Sequence, residues 1–137
     1  MFEHEIIDMI ANIPESSLLS TYQGRPSIFS GMGPEDIPFP YVVIDIGELN
    51  PPDSIITRFL IEINVFDFGT SESNVRKIAF SISNALDNQL IQSERFSDIR
   101  IRRGTRNRID VPDPRGIQYY LTFEARGSRE YWTKSIL

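Results

Sequence analysis

The chain has no cysteine among its 137 residues, which excludes disulfides and thiolate metal ligation and fits a reducing compartment. Histidine and tryptophan occur once each, at His4 and Trp132. A Ser-His-Asp centre needs a histidine held by packing beside a nucleophile. His4 falls in the first turn of a predicted helix, off its apolar stripe, and reads as a solvated residue. One histidine leaves zinc only a carboxylate-rich donor set, which is an unusual site. Asp110 and Asp113 flank a proline-rich turn and lack the ligand spacing of a calcium loop. No metal and no cofactor is expected. Gly31-Met32-Gly33 has neither the Lys-Ser/Thr of a phosphate loop nor the spacing of a dinucleotide turn. No apolar run approaches the ~20 residues of a membrane helix, and the acidic start Met1-Phe2-Glu3-His4-Glu5 is unlike a signal peptide. The expectation is a soluble protein that stays in the cytoplasm where it is made. Repeats and low-complexity segments are absent too. With 19 acidic residues, a carboxylate pair for proton chemistry stays open, but nothing selects one. The chain is expected not to be an enzyme.

What is present is an uneven charge. The net charge is −5, yet residues 1–94 hold 14 acidic and 4 basic side chains, and residues 95–137 hold 5 acidic and 10 basic. Six arginines fall between Arg95 and Arg108, and Arg115 follows. Arginine suits planar, bidentate pairing with carboxylate or phosphate. A nucleic-acid-binding module using segment 95–115 is one reading. Against it stand the acidic chain, pI ≈ 4.9, and the lack of an aromatic platform between the arginines. The favoured reading pairs the arginines with the acidic N-terminal portion, within a subunit or across to the next. A solvated charged strand is the plainest alternative.

Hydrophobic periodicity predicts an α+β fold. Phe2, Ile6, Met9, Ile10 and Ile13 share one face of a helix, with Glu3, Glu5 and Asp8 near its positive end and Pro14 after it. A Gly/Pro-rich loop from Gly24 to Pro40 surrounds a short strand at Ile28-Phe29. Tyr41 to Ile46 is β-branched and reads as a strand. Phe59, Ile61, Ile63 and Val65 alternate with Arg58, Glu62 and Asn64, as in a half-buried antiparallel strand. Leu60 and Phe66 break that alternation on the outer face and hint at a covering element or subunit. Thr70 or Ser71 can cap a helix whose stripe is Val75, Ile78, Ala79, Ile82, Leu86 and Leu90. The unit from Ile55 to Ile91 therefore builds a core. Ile99 and Ile101 alternate with Arg100 and Arg102 in a strand with a basic outer face. Ile117 to Arg126 alternates cleanly and ends at Gly127. The prediction is one domain, 1–126, with a mainly antiparallel sheet of four to five strands against an N-terminal helix and one long central helix. A tail, 127–137, follows; Tyr131 and Trp132 make it an interface arm or a segment folded back on its own sheet.

These features together resemble the bacteriophage tail terminator family, also called tail completion or tail-to-head joining proteins. The resemblance rests on the N-terminal helix, the loop into Phe39-Pro40-Tyr41-Val42-Val43-Ile44, and the strand ending Val65-Phe66-Asp67. Its most similar stretch is Ile61-Glu62-Ile63-Asn64-Val65-Phe66-Asp67 followed by Ser73-Asn74-Val75-Arg76-Lys77-Ile78-Ala79. It covers most of residues 2–126 as a pattern of elements and leaves out the arginine run and the tail.

The resemblance implies a virion subunit that forms a ring, a hexamer in this family. The ring would stop tail-tube polymerisation and dock to the head connector at the head-proximal end of the tail. Its partners would be itself, the tail-tube protein and a head-completion or connector protein, with DNA passing an acidic lumen without specific binding. Candidate contacts are Leu60, Phe66, Arg100, Arg102, Arg103, Arg106, Arg108, Tyr131 and Trp132, and the Glu48–Ser54 loop would project toward the tube. Another neck or head-completion subunit is the alternative within the same class.

Overall fold

The computed structural model describes residues 2–49, 56–68, 72–92, 96–110 and 116–129. Helix α1 spans Glu3–Ala11 and buries Ile6 and Ile10. Pro14 occupies the first turn of a 3₁₀ helix, Pro14–Leu18, where its missing N–H costs no hydrogen bond. A two-strand ribbon follows, β1 (Thr21–Tyr22) with β2 (Arg25–Pro26). Gln23 and Gly24 both have positive φ, 51° and 80°, the geometry of a two-residue type I′ hairpin turn.

The main sheet contains β3 (Ile28–Ser30), β4 (Tyr41–Glu48), β5 (Ile56–Phe68), β6 (Leu90–Ile91), β7 (Phe96–Asp110) and β8 (Gly116–Arg129). Its lateral order is β3-β4-β5-β8-β7-β6. Every pairing is antiparallel except β3 with β4. The fold is α+β and mainly antiparallel, as the periodicity predicts. The sheet has six strands rather than four to five: the short strand expected at Ile28-Phe29 is β3, and the added one is β6, whose two residues are too few to show a period. β8 also runs through Gly127 to Arg129, past the predicted end. Thr57 pairs with Gly127 and Ile56 with Ser128, so tertiary pairing overrides the glycine's weak strand preference.

Helix α2, Glu72–Leu86, lies with α1 on one face of the sheet. Val75, Ile78, Ala79, Ile82 and Leu86 are fully buried against Phe59, Ile61, Ile63, Leu121 and Phe123. Phe2 closes the other end, edge-on to Phe59 at 5.0 Å between ring centroids. Each such side chain contributes ~1.5–3 kcal/mol on burial, which is what holds two helices on one face. Asn88, at φ 62°, ends α2 in the left-handed conformation typical of a residue just past a helix. Its N–H then donates to Ile101 O at 2.8 Å, tying the helix end to β7. The proposed caps, Thr70 and Ser71, lie outside the described residues, as do Asp113 and Arg115. No described helix is long and apolar enough to cross a membrane.

Candidate assembly surface

With both helices on one side, the opposite face of the sheet carries no helix among the described residues. Antiparallel register sorts its side chains into lateral rows. One row is Tyr41, Phe66, Gln118 and Ile109; the next is Val43, Asn64, Tyr120 and Asn107. Then come Asp45, Glu62 and Thr122, followed by Gly47, Leu60, Glu124 and Arg102. Next is Leu90, Arg100, Arg126 and Arg58, beyond which exposed Ile56 lies opposite Ser128. The face thus passes from aromatic through polar to basic along the strand direction.

At the aromatic end, Phe66 stacks on Tyr41 at 5.0 Å, and Phe39 meets Tyr41 at 5.3 Å and Phe68 at 5.7 Å. Phe39 and Phe68 keep 46% and 39% of their surface exposed, so this corner is an apolar contact surface left open. In the middle, Tyr120 donates its hydroxyl hydrogen to Glu62, and Gln118 Nε2 donates to Asn64 Oδ1 at 2.6 Å. The Glu62 bond, then burial and the carboxylate charge, raise the Tyr120 pKa above its ordinary 10.0. Burial raises that of Tyr41.

At the basic end, Glu124 Oε1 accepts from both Arg58 Nη2, at 2.6 Å, and Arg58 Nε, at 2.9 Å. Arg100 Nη1 donates to Asn88 Oδ1 at 3.1 Å, a neutral partner. A recess of about 380 Å³ lies between Arg100, Arg102, Glu124 and Arg126.

The predicted arginine strip does not stay on one face. β7 is irregular twice, between Ser97 and Arg100 and between Arg103 and Arg106. At the second, Thr105 N–H donates to Thr122 Oγ1 at 2.9 Å, and the one extra residue shifts the alternation. Arg100 and Arg102 point to the bare face. Arg103, Arg106 and Arg108 sit opposite Phe123, Leu121 and Tyr119, whose side chains face the helices. Arg103 Nη1 donates to Asn84 Oδ1 at 3.2 Å, and Arg106 lies 4.4 Å over the Phe80 ring, a cation–π contact. The contacts of Arg100, Arg103 and Arg106 within the chain are therefore to α2 and its terminal turn. The within-subunit pairing with the acidic N-terminal portion is not made by these three.

Leu60 and Phe66 occupy the bare face and are partly buried by their neighbours. Tyr131 and Trp132 lie outside the described residues, and so does most of the Glu48–Ser54 loop. His4 is exposed on α1, at the rim of a groove of about 750 Å³ that also includes Asp8, Tyr22, Arg25 and Phe29. Among the described residues no three His, Cys, Asp or Glu side chains converge as metal ligands would. Sequence reasoning missed Arg58, Arg126, Tyr41 and Phe68 as parts of this surface. Alternation assigns a side chain to a face, but only register assigns it lateral neighbours.

No family model matches the chain, and no curated protein does. A solved structure does: a chain of the virion of a native gene transfer agent particle, with a TM-score of 0.70 at 16% identity. The match covers 90% of this chain and 91% of that one. At this identity the likeness is one of fold.

Proposed function

We propose that this chain is a structural subunit of a phage-like virion. It forms a ring, six-fold by the family it resembles, that ends the tail tube and joins it to the head connector. The observation that carries this reading is the shared fold with a virion chain of a gene transfer agent over nearly the full length of both. A sheet with one face bare of helices among the described residues supports it, since a subunit that works by assembly keeps a surface for its neighbours.

A closed ring requires each subunit to offer two different patches that meet head to tail. On this reading Leu60, Phe66, Arg100 and Arg102 contribute from the bare face, and Arg103, Arg106 and Arg108 from the open edge of β7. Tyr131 and Trp132 add aromatic anchors. No residue is assigned a catalytic role. The acidic residues that outnumber basic ones before residue 95 line the lumen, where they repel DNA phosphates. The site of action is the head-proximal end of the tail.

Light scattering after size exclusion tests the stoichiometry, with and without tail-tube ends. The expected particle has six times the mass of one chain. A species that stays monomeric in solution and at tube ends would sink the reading. Capture of the portal side in preference to tube ends would instead favour a head-completion subunit.

A further inference from the structure

The lateral row Arg58, Arg126 and Arg100 places three guanidinium side chains directly opposite one another on the adjacent strands β5, β8 and β7. Facing residues in a sheet have Cβ atoms ~4.5–5.5 Å apart, and like charges there destabilise the pairing. Arg102 extends the cluster from the next row, opposite Glu124. Two carboxylates border the four arginines. Glu124 is taken up by Arg58, and Asp98 accepts from Gln92 Nε2 at 3.0 Å while lining a second recess with Arg100 and Arg126. Among the described residues, Arg100, Arg102 and Arg126 outnumber the carboxylates beside them. Such an arrangement is costly for an isolated chain and becomes favourable once carboxylates or phosphates enter.

We infer that the basic end of the bare sheet face is an anion-receiving site, and that carboxylates on the N-terminal flank of a second copy of this chain occupy it. The inference deepens the ring reading and rests on it. Three observations select this occupant. Residues 2–15 carry four acidic side chains, Glu3, Glu5, Asp8 and Glu15, and no lysine or arginine, so the complementary charge exists on the same molecule. That flank includes α1, which packs on the helix-bearing side against β3 and β4, whereas the arginines lie on the opposite face across β5, β8 and β7. One chain cannot bring the two together, so the contact is head to tail, as ring closure requires. Finally, no aromatic side chain lies in the arginine rows, and the chain is acidic overall, which disfavours a nucleic-acid strand that needs stacking platforms.

Arg100→Gln with Arg126→Gln tests the site, because both side chains are exposed and neither holds Glu124. The double variant should assemble at least about tenfold more weakly than the parent and lose most of the salt sensitivity of assembly. Its isolated subunit should melt about 1–3 °C higher, since the repulsion is relieved. In a second variant, Arg100→Glu with Arg126→Glu abolishes assembly, and adding Glu5→Arg and Asp8→Arg to the same chain restores it. Parent and glutamine variant assembling alike would overturn the inference and leave the ring intact. A parent that never assembles, even at tube ends, removes the ring reading and this inference with it. If the substitutions weaken low-salt binding to a 30-base-pair duplex but spare assembly, the site receives phosphate, and the inference is overturned on that side.

Discussion

Tyr120 couples the polar middle of the bare face to pH. Its hydrogen bond to Glu62 exists only while the phenol is protonated, so the folded chain holds that proton more tightly than the unfolded one. With the folded pKa raised above 10.0, the contribution to stability is complete below pH 10 and is lost as pH rises through the folded value. Tyr41 has the same sign, from burial. An absorbance titration of phenolate should therefore show a late component above pH 10, and Tyr120→Phe should remove part of it. Coincident titration of all tyrosines at 10.0 would contradict the bond. Among the described residues, two buried hydroxyls, Thr57 Oγ1 and Ser83 Oγ, have no hydrogen-bond partner. Replacing Ser83 by alanine removes an unsatisfied group from a helix interior and should stabilise the fold by ~0.5–1 kcal/mol. Chemical denaturation measures it, and a loss of stability would show that the hydroxyl is paired.

Among the elements, β7 determines where the charge goes. Its bulge at Gly104 and Thr105 carries Arg106 and Arg108 to the helix-bearing side beside Arg103, while Arg100 and Arg102 stay on the bare face. Gly104 is required there for a close approach: a Cβ would lie 2.6 Å from Thr122 Oγ1 and 2.8 Å from Thr122 O. The second of these is backbone and cannot rotate away. Gly104→Ala should cost ~1–3 kcal/mol, read as a lower urea midpoint, and should loosen the Arg103–Asn84 and Arg106–Phe80 contacts. An unchanged midpoint would mean that the bulge shifts freely. The bulge also explains what was legible in the residues. Alternation at Phe59–Val65 and Ile117–Ala125 predicts buried faces that the fold keeps, as does the three–four spacing in α1 and in α2 up to Leu86; Leu90, placed on the same stripe, lies instead in β6 and is exposed, because the helix ends four residues earlier. In β7 the alternation at Ile99–Arg102 holds only until residue 104, because nothing in Arg103-Gly104-Thr105-Arg106 states how many residues the partner strand will oppose.

At the scale of the molecule, the sheet separates two kinds of surface. The helix-bearing face closes a core that includes Phe2, Phe59 and Phe123, and it is complete within one chain. The bare face is graded from exposed aromatics at Phe39 and Phe68 to the arginine row at Arg58, Arg126 and Arg100. Its composition was readable residue by residue, as Leu60 and Phe66 illustrate, but the gradient was not, because it arises from register across four strands. On the ring reading, a gradient of this kind would orient a neighbour, with apolar contact at one end and charge at the other, as a contact that closes in one sense only requires.

The most direct test of the ring reading is electron microscopy of tail tubes polymerised with and without this chain. The account predicts tubes of arrested length, each ended by a six-fold ring whose subunits show this fold. Tubes that grow to the same lengths in both cases, with bare ends, would contradict it.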